Sequence, residues 1–217
     1  MRLGAPRKDL PELIDFYGEG LGLARDGALV AVGETALELG AADGEPFYHF
    51  AFLVPGDRFD AALEWARARV ELLSWPDSDE VVFDFDFWDA KACYFLDPAG
   101  NIVELVAHGG VGESGTTGPF AGAELLGLSE LGLVGDQRAM AERLRAELGL
   151  EVWDGSADDP RGLAFVGEKA RTLILAPPGR GWMPTGRPAE RHEVDAVLAD
   201  TAGGDVTLED SLYRIRA

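Results

Sequence analysis

The feature that most constrains this chain is that it repeats itself. Asp9 opens a helical pattern: it is placed to cap, Glu12 follows three residues later, and Leu10, Leu13, Ile14 and Tyr17 recur at helical spacing. The pattern stops at Gly18 and Gly20, and Leu21-Gly22-Leu23 and Asp26-Gly27 follow. The same order returns later. Asp136 is placed to cap, Met140, Leu144 and Leu148 form the apolar stripe, and Leu148-Gly149-Leu150 and Asp154-Gly155 follow. Further on, Val32-Gly33-Glu34 is matched by Val166-Gly167-Glu168, and the strand Leu37-Glu38-Leu39 by Leu173-Ile174-Leu175. Each unit reads as a strand, a helix, then more strands.

A third copy starts at Phe47. The strand Tyr48–Val54 precedes Asp57, another candidate cap, and a helix with Phe59, Leu63, Ala66 and Val70 on one face follows. Then come a strand over Val81–Trp88, a strand over Ala92–Leu96, the turn Asp97-Pro98-Ala99-Gly100-Asn101, and a strand over Ile102–Ala107. Proline at the second turn position and glycine where positive φ is needed make that segment a hairpin. The final stretch, His192–Ala217, holds three short strand-like runs and no room for a helix, so a fourth unit is stripped down. Residues 109–123, rich in Gly, Ser and Thr, read as a linker, and 177–188, rich in Pro and Gly, as a second loop.

Composition excludes several functions. The 217 residues carry 39 Asp and Glu against 19 Lys and Arg, a formal charge of −20, which leaves no basic surface for nucleic acid or for anionic membranes. No apolar stretch approaches the roughly 18 residues of a membrane span, and the N-terminal residues contain no apolar signal region. The single cysteine, Cys93, forms no intramolecular disulfide and fits a reducing compartment; its flanks read as a strand, hence a buried, inert thiol. A cytoplasmic protein is expected.

A strand–helix–three-strand unit used in pairs resembles the vicinal oxygen chelate superfamily, which includes glyoxalases, extradiol dioxygenases and bleomycin-resistance proteins. The residues that carry the resemblance are Asp15-Phe16-Tyr17 with Leu21-Gly22-Leu23, His49-Phe50-Ala51-Phe52, and Tyr94-Phe95-Leu96-Asp97-Pro98-Ala99-Gly100-Asn101-Ile102-Val103-Glu104-Leu105. The resemblance covers 1–107 strongly and 124–176 more weakly. It implies an α+β fold of paired βαβββ modules, with open curved sheets and the helices outside. Residues 1–108 form one glyoxalase-like domain of two modules, 109–123 a linker, and 124–217 a degenerate second domain.

The resemblance also implies a divalent metal, Mn, Fe, Zn or Ni, held by Glu38, His49 and Glu104, with Glu104 doubling as a catalytic base. One imidazole and two carboxylates suit these ions and leave positions open for water and substrate. The fourth family position, counted back from Asp9 as His49 is from Asp57, falls on Met1 or Arg2, neither of them a ligand, unless the protein starts further upstream. In the second half, Ile174 matches Glu38, and the same count back from Asp136 lands on Ser129 or Leu128, so 124–217 is expected to supply no ligand. His108 and His192 read as loop and surface residues. In Phe83–Trp88, alternation puts the three Phe on one face and Asp84, Asp86 and Trp88 on the other. If the Phe face meets the helices, Asp84, Asp86 and Trp88 line the cavity and bind substrate; otherwise the aspartates face water.

Two functions follow from these readings. One is a metal-dependent enzyme (isomerase, lyase, transferase or dioxygenase type) acting on a small molecule that chelates the metal through neighbouring oxygens. The other is a non-catalytic, bleomycin-resistance-like binder of a cationic ligand in an acidic cavity. The protein is expected to be a monomer or homodimer.

Overall fold

A computed structural model describes residues 1–199 and 203–217. The first module comprises β1 (Arg2–Pro6), α1 (Leu10–Asp15) running into a wider turn over Phe16–Gly20, β2 (Arg25–Asp26), β3 (Leu29–Val32) and β4 (Thr35–Ala42). The second comprises β5 (His49–Val54), α2 (Phe59–Arg67), β6 (Leu72–Leu73), β7 (Phe83–Phe85), β8 (Ala90–Leu96) and β9 (Ile102–His108). The third comprises β10 (Gly127–Val134), α3 (Gln137–Leu148), β11 (Val152–Gly155), β12 (Ala164–Glu168) and β13 (Arg171–Ala176). A small hairpin of β14 (Gly181–Trp182) and β15 (Arg187–Pro188) follows, and then a helix-free fourth module of β16 (Val194–Val197), β17 (Asp205–Leu208) and β18 (Tyr213–Arg216).

Within every module the first and last strands lie parallel, β1 with β4, β5 with β9, β10 with β13 and β16 with β18. Between modules the partners are not chain neighbours. The first module joins the fourth through the antiparallel pair β1 and β16, and the second joins the third through β5 and β10. Two open sheets result, and each draws strands from both sides of the 109–123 segment.

Alternation along the strands sorts the side chains. In the larger sheet Phe50, Phe52, Val103, Leu105, Leu131, Leu133, Leu173 and Leu175 face the helices and belong to one continuous core, which also takes in Leu3, Leu37 and Ile215 of the smaller sheet. Met140, Leu144 and Leu148 of α3 join it. The opposite face of the larger sheet carries Ala51, Ala92, Tyr94, Ile102, Val106, Val134 and Ile174, a separate apolar cluster that Phe47, Phe83 and Trp182 complete.

Capping differs among the modules. Asp136 caps α3 as its position suggests, accepting from the Ala139 amide, and Gly149 ends the helix at φ 68°. Asp9 is the cap residue of α1 but makes no side-chain cap bond, and Pro11 stands in the first turn, where a missing N–H costs nothing. Asp57 does not cap α2: its carboxylate accepts from the amides of Ser114 and Gly115. Beside it the buried Arg58 reaches Glu124 at 3.1 Å and the carbonyls of Thr116 and Gly118. Phe120 packs on Trp65. The 109–123 segment is therefore strapped to α2 rather than left as a free spacer.

The Asp97–Asn101 turn is a buried polar knot. Asp97 accepts from Tyr17 (2.6 Å), from Asn101 Nδ2 (2.7 Å) and from the amides of Ala99 and Asn101. Asn101 Oδ1 in turn accepts the Tyr48 amide at 2.8 Å. This fixes the register of β5 on β9 immediately before His49 and Ile102, and it ties both to the first helix through Tyr17.

Candidate metal centre

In the larger sheet, Glu104 on β9 and Glu130 on β10 both stand opposite Ala51 of the strand between them. Strands lie about 4.8 Å apart, so two glutamates flanking a middle strand converge only if that strand offers a small side chain. Ala51 does. His49 lies two residues earlier on the same face. One ligand atom from each of His49, Glu104 and Glu130 lies within 4.8 Å of the others, and all three residues are buried, at 6%, 3% and 6% exposure.

The imidazole is oriented. His49 Nδ1 faces the Ile102 carbonyl at 3.1 Å, so that nitrogen carries the proton and Nε2 presents its lone pair to Glu104 Oε2, 3.6 Å away. Burial, with the Arg180 charge adding to it, pulls the His49 pKa down to about 4, so the ring is neutral at pH 7. Burial pushes Glu104 well above the usual carboxylate range; the nearby Glu130 pushes it further, and the Tyr94 hydroxyl bonded to it only partly offsets the rise. Burial likewise raises Glu130 to about 7. Among the described residues neither carboxylate has an Arg or Lys partner. Thr172, opposite Glu130 on β13, is buried and sets its hydroxyl against the Glu130 carboxylate, which partly offsets the rise.

Two buried acids facing each other and a neutral imidazole with a free lone pair form an environment short of positive charge. A divalent cation supplies that charge. The donor set, one nitrogen with carboxylate oxygens, suits Mn, Fe(II), Ni or Zn. Tyr94 meets Glu104, and Ile102 fixes the tautomer of His49, so the outer shell that orients such ligands is also in place.

The structure brings together two of the three residues singled out from the sequence. Glu38 is not among them. It lies on the smaller sheet, opposite Arg2, half-exposed and 3.7 Å from the Arg2 guanidinium. The third residue is Glu130, from the half expected to supply no ligand. The count from the helix cap missed it because Asp136 follows the end of β10 by two residues where Asp57 follows the end of β5 by three, and because β10 carries a bulge between Leu128 and Glu130. Its signal in the sequence is an acid inside the otherwise apolar run Leu128–Val134.

The 83–88 alternation also breaks. β7 ends at Phe85 and a tight turn covers Asp86–Trp88. Phe83 is buried on the metal-site face, stacked on Trp75 at 4.3 Å and edge-on to Tyr94, so the Phe face and not the Asp face turns inward. Asp84 is exposed, 3.7 Å from Lys91, and Asp86 is exposed as well. Trp88 is half-buried; it packs on Phe165 and donates to Asp154 at 2.8 Å, bridging the second and third modules. His108 is not a loop residue but the last residue of β9, fully buried beside the Trp88 backbone. His192 stands away from the triad beside Glu190. Cys93 is buried on the helix side of the sheet, its thiol pushed up to about 12 by burial.

No protein-family model matches this sequence, and no curated protein does. Solved structures match its three-dimensional form. A candidate dioxygenase from Bacillus subtilis subsp. subtilis strain 168 is 16% identical, covers 100% of this chain and 83% of its own, and has a TM-score of 0.60. A point mutant of glyoxalase I from Zea mays is 14% identical, covers 99% of this chain and 91% of its own, and has a TM-score of 0.58. The chain has the glyoxalase, or vicinal oxygen chelate, fold. Unmutated glyoxalase I from Zea mays, 17% identical over 95% of this chain and 82% of its own, has a TM-score of 0.55. At these identities the likeness concerns the fold, and the function rests on the residues above. No helix among the described residues is long and apolar enough to cross a membrane.

Proposed function

We propose that this protein is a metal-dependent enzyme of the vicinal oxygen chelate type, with the ion held by His49, Glu104 and Glu130. The observation that carries this reading is the pair of buried glutamates converging across Ala51 with no basic partner among the described residues. A bound divalent ion would act as a Lewis acid on a substrate oxygen. His49 presents Nε2 because Ile102 holds its other nitrogen, and Tyr94 holds the Glu104 carboxylate by hydrogen bonding. Glu104, whose carboxylate would lie beside both the ion and the substrate, is the residue placed to exchange a proton with the substrate as general base. The apolar surroundings, Phe83, Ile102, Ile174 and Trp182, keep water from the reacting atoms. The substrate class is a small molecule with two neighbouring oxygens. The aspartates on which a cationic-ligand binder would depend face solvent, so no observation favours that reading.

The test is elemental analysis after supplementation with Mn, Fe(II), Ni or Zn and removal of excess ion. One ion per chain is expected in the wild type, and its loss in His49→Ala and in Glu104→Gln. A supplemented wild type that retains no ion refutes the reading.

A further inference from the structure

The triad is buried, so a substrate reaches it only if something moves. The element lying over it is the hairpin of β14 and β15. The Trp182 ring sits 5.0 Å from the His49 ring, and its far edge lies 2.9 Å from where a side chain at Gly132 would begin. Gly132 follows Glu130 by two residues on the same face of β10, so this glycine makes room for the indole on the floor of the site.

The hairpin pairs with neither large sheet. Its backbone bonds close on themselves: Gly179 to Ala189, Ala189 to Arg180 and Gly186 to Trp182. Its side chains reach the body of the protein through Trp182 and Ala189, buried in the apolar cluster, through Arg187, which donates to the Gly100 carbonyl (3.0 Å), and through Arg180, which donates to the Arg161 carbonyl (3.3 Å); the Arg187 guanidinium also lies 3.4 Å over the Phe47 ring. It can therefore lift without breaking a sheet ladder.

Its charge is unlike that of the rest of the chain. Residues 177–189 contain two Arg and no acid, in a protein of net charge −20. Arg187 is an anchor, occupied by Gly100 and Phe47. Arg180, half-buried, bonds only to the carbonyls of Arg161 and Gly181, with no carboxylate partner among the described residues, and its charge reaches His49. The arm over the site thus presents one large flat ring and one guanidinium free to turn toward an anion.

We infer that the 177–189 hairpin is a substrate-recognition flap, with Trp182 stacking on a planar conjugated substrate and Arg180 pairing with a carboxylate on it. The substrate class is then a planar molecule bearing neighbouring oxygens at one end and an anionic group at the other. This deepens the proposed function and rests on it. With no substrate bound the indole occupies the site; as the hairpin lifts, the indole swings out with it and then closes on the outer face of the incoming ring. Opening leaves the sheets, and hence the triad, undisturbed.

The test uses metal-supplemented protein and two probes, 3,4-dihydroxybenzoate and catechol, which share the neighbouring oxygens and the ring but differ in the carboxylate. Calorimetry should show the wild type binding 3,4-dihydroxybenzoate roughly tenfold or more tightly than catechol, as a charge-assisted pair would give. Arg180→Met should abolish that preference and leave metal content unchanged. Trp182→Ala should weaken both probes about tenfold, and Trp182→Phe should restore most of the loss. A wild type that binds both probes alike, an Arg180→Met variant that keeps the preference, or a Trp182→Ala variant that binds as tightly as the wild type overturns the flap while leaving the metal centre standing. A wild type that holds no metal overturns the proposed function and this inference together.

Discussion

Replacing Glu130 by Gln should make the metal-free protein more stable at pH 8 while abolishing metal binding. In the folded chain, burial raises Glu130 from its ordinary value of 4.5 to about 7. Below pH 4.5 both folded and unfolded forms carry the proton, and the site costs nothing. Between 4.5 and 7 the unfolded chain has released it and the folded chain has not, so stability falls as the pH rises. Above 7 the loss is complete. Each pH unit in that window is worth about 1.4 kcal/mol, so the deficit at pH 8 is on the order of 3 kcal/mol. Glu104 shifts in the same direction and adds to it.

Gln at position 130 carries no charge to bury and also relieves Glu104 of a like-charged neighbour. In urea with a chelator present, Glu130→Gln should exceed the wild type by about 3 kcal/mol at pH 8 and by about 1 kcal/mol at pH 5.5, with the slope m unchanged. Adding metal at a hundred times its Kd should raise the wild type by about 2.7 kcal/mol and leave the variant where it was. A gap of the same size at both pH values, or a variant less stable than the wild type at pH 8, refutes the reasoning, because either result means that the acid is not buried in competition with its neighbour.

Asn101→Ala should cost about 2–4 kcal/mol in urea unfolding, since it leaves the buried Tyr48 amide without an acceptor and Asp97 with one donor fewer. Arg58→Met should cost about 3 kcal/mol by stranding Glu124 and two loop carbonyls, and limited proteolysis should then cut within 109–123 far faster than in the wild type. Glu38→Ala should change stability by less than about 0.5 kcal/mol and leave metal content intact; loss of the ion would place Glu38 back at the centre.

Local patterns were readable wherever short-range physics decides the outcome. The stripe of α3 and its Asp136 cap, the Asp97–Asn101 turn, and the helix-free fourth unit all appear where periodicity and turn chemistry place them. His49 and Glu104 could be matched because the motif around them fixes a turn and a register together. What escaped depends on distance. Which module pairs with which is settled by edges that meet only after the whole chain has folded, and nothing local marks β1 as the partner of β16. Glu38 looked equivalent to Glu104 because each stands on the last strand of its module, and the strands have equivalent neighbours; but the residue opposite Glu38 is Arg2, which fills the place with its own charge, where Glu104 faces the small Ala51. Phe83–Phe87 alternates as a strand should, but a turn cuts it after Phe85, and the buried ring faces the metal site rather than the helices.

The cross-pairing of the modules makes the 109–123 segment a poor place to divide the molecule and an informative one. Cutting there yields two fragments, each holding one half of both sheets and exposing the unpaired edges of β1 and β5 or of β10 and β16. Neither fragment is then expected to fold alone. Mixed together, they should reassemble in trans, because each supplies the edges that the other lacks. The proposed ligands divide in the same way, His49 and Glu104 on one piece and Glu130 on the other. Metal retention therefore becomes a readout of assembly: an ion held by the mixture, and by neither fragment alone, would report that the two sheets had closed around it.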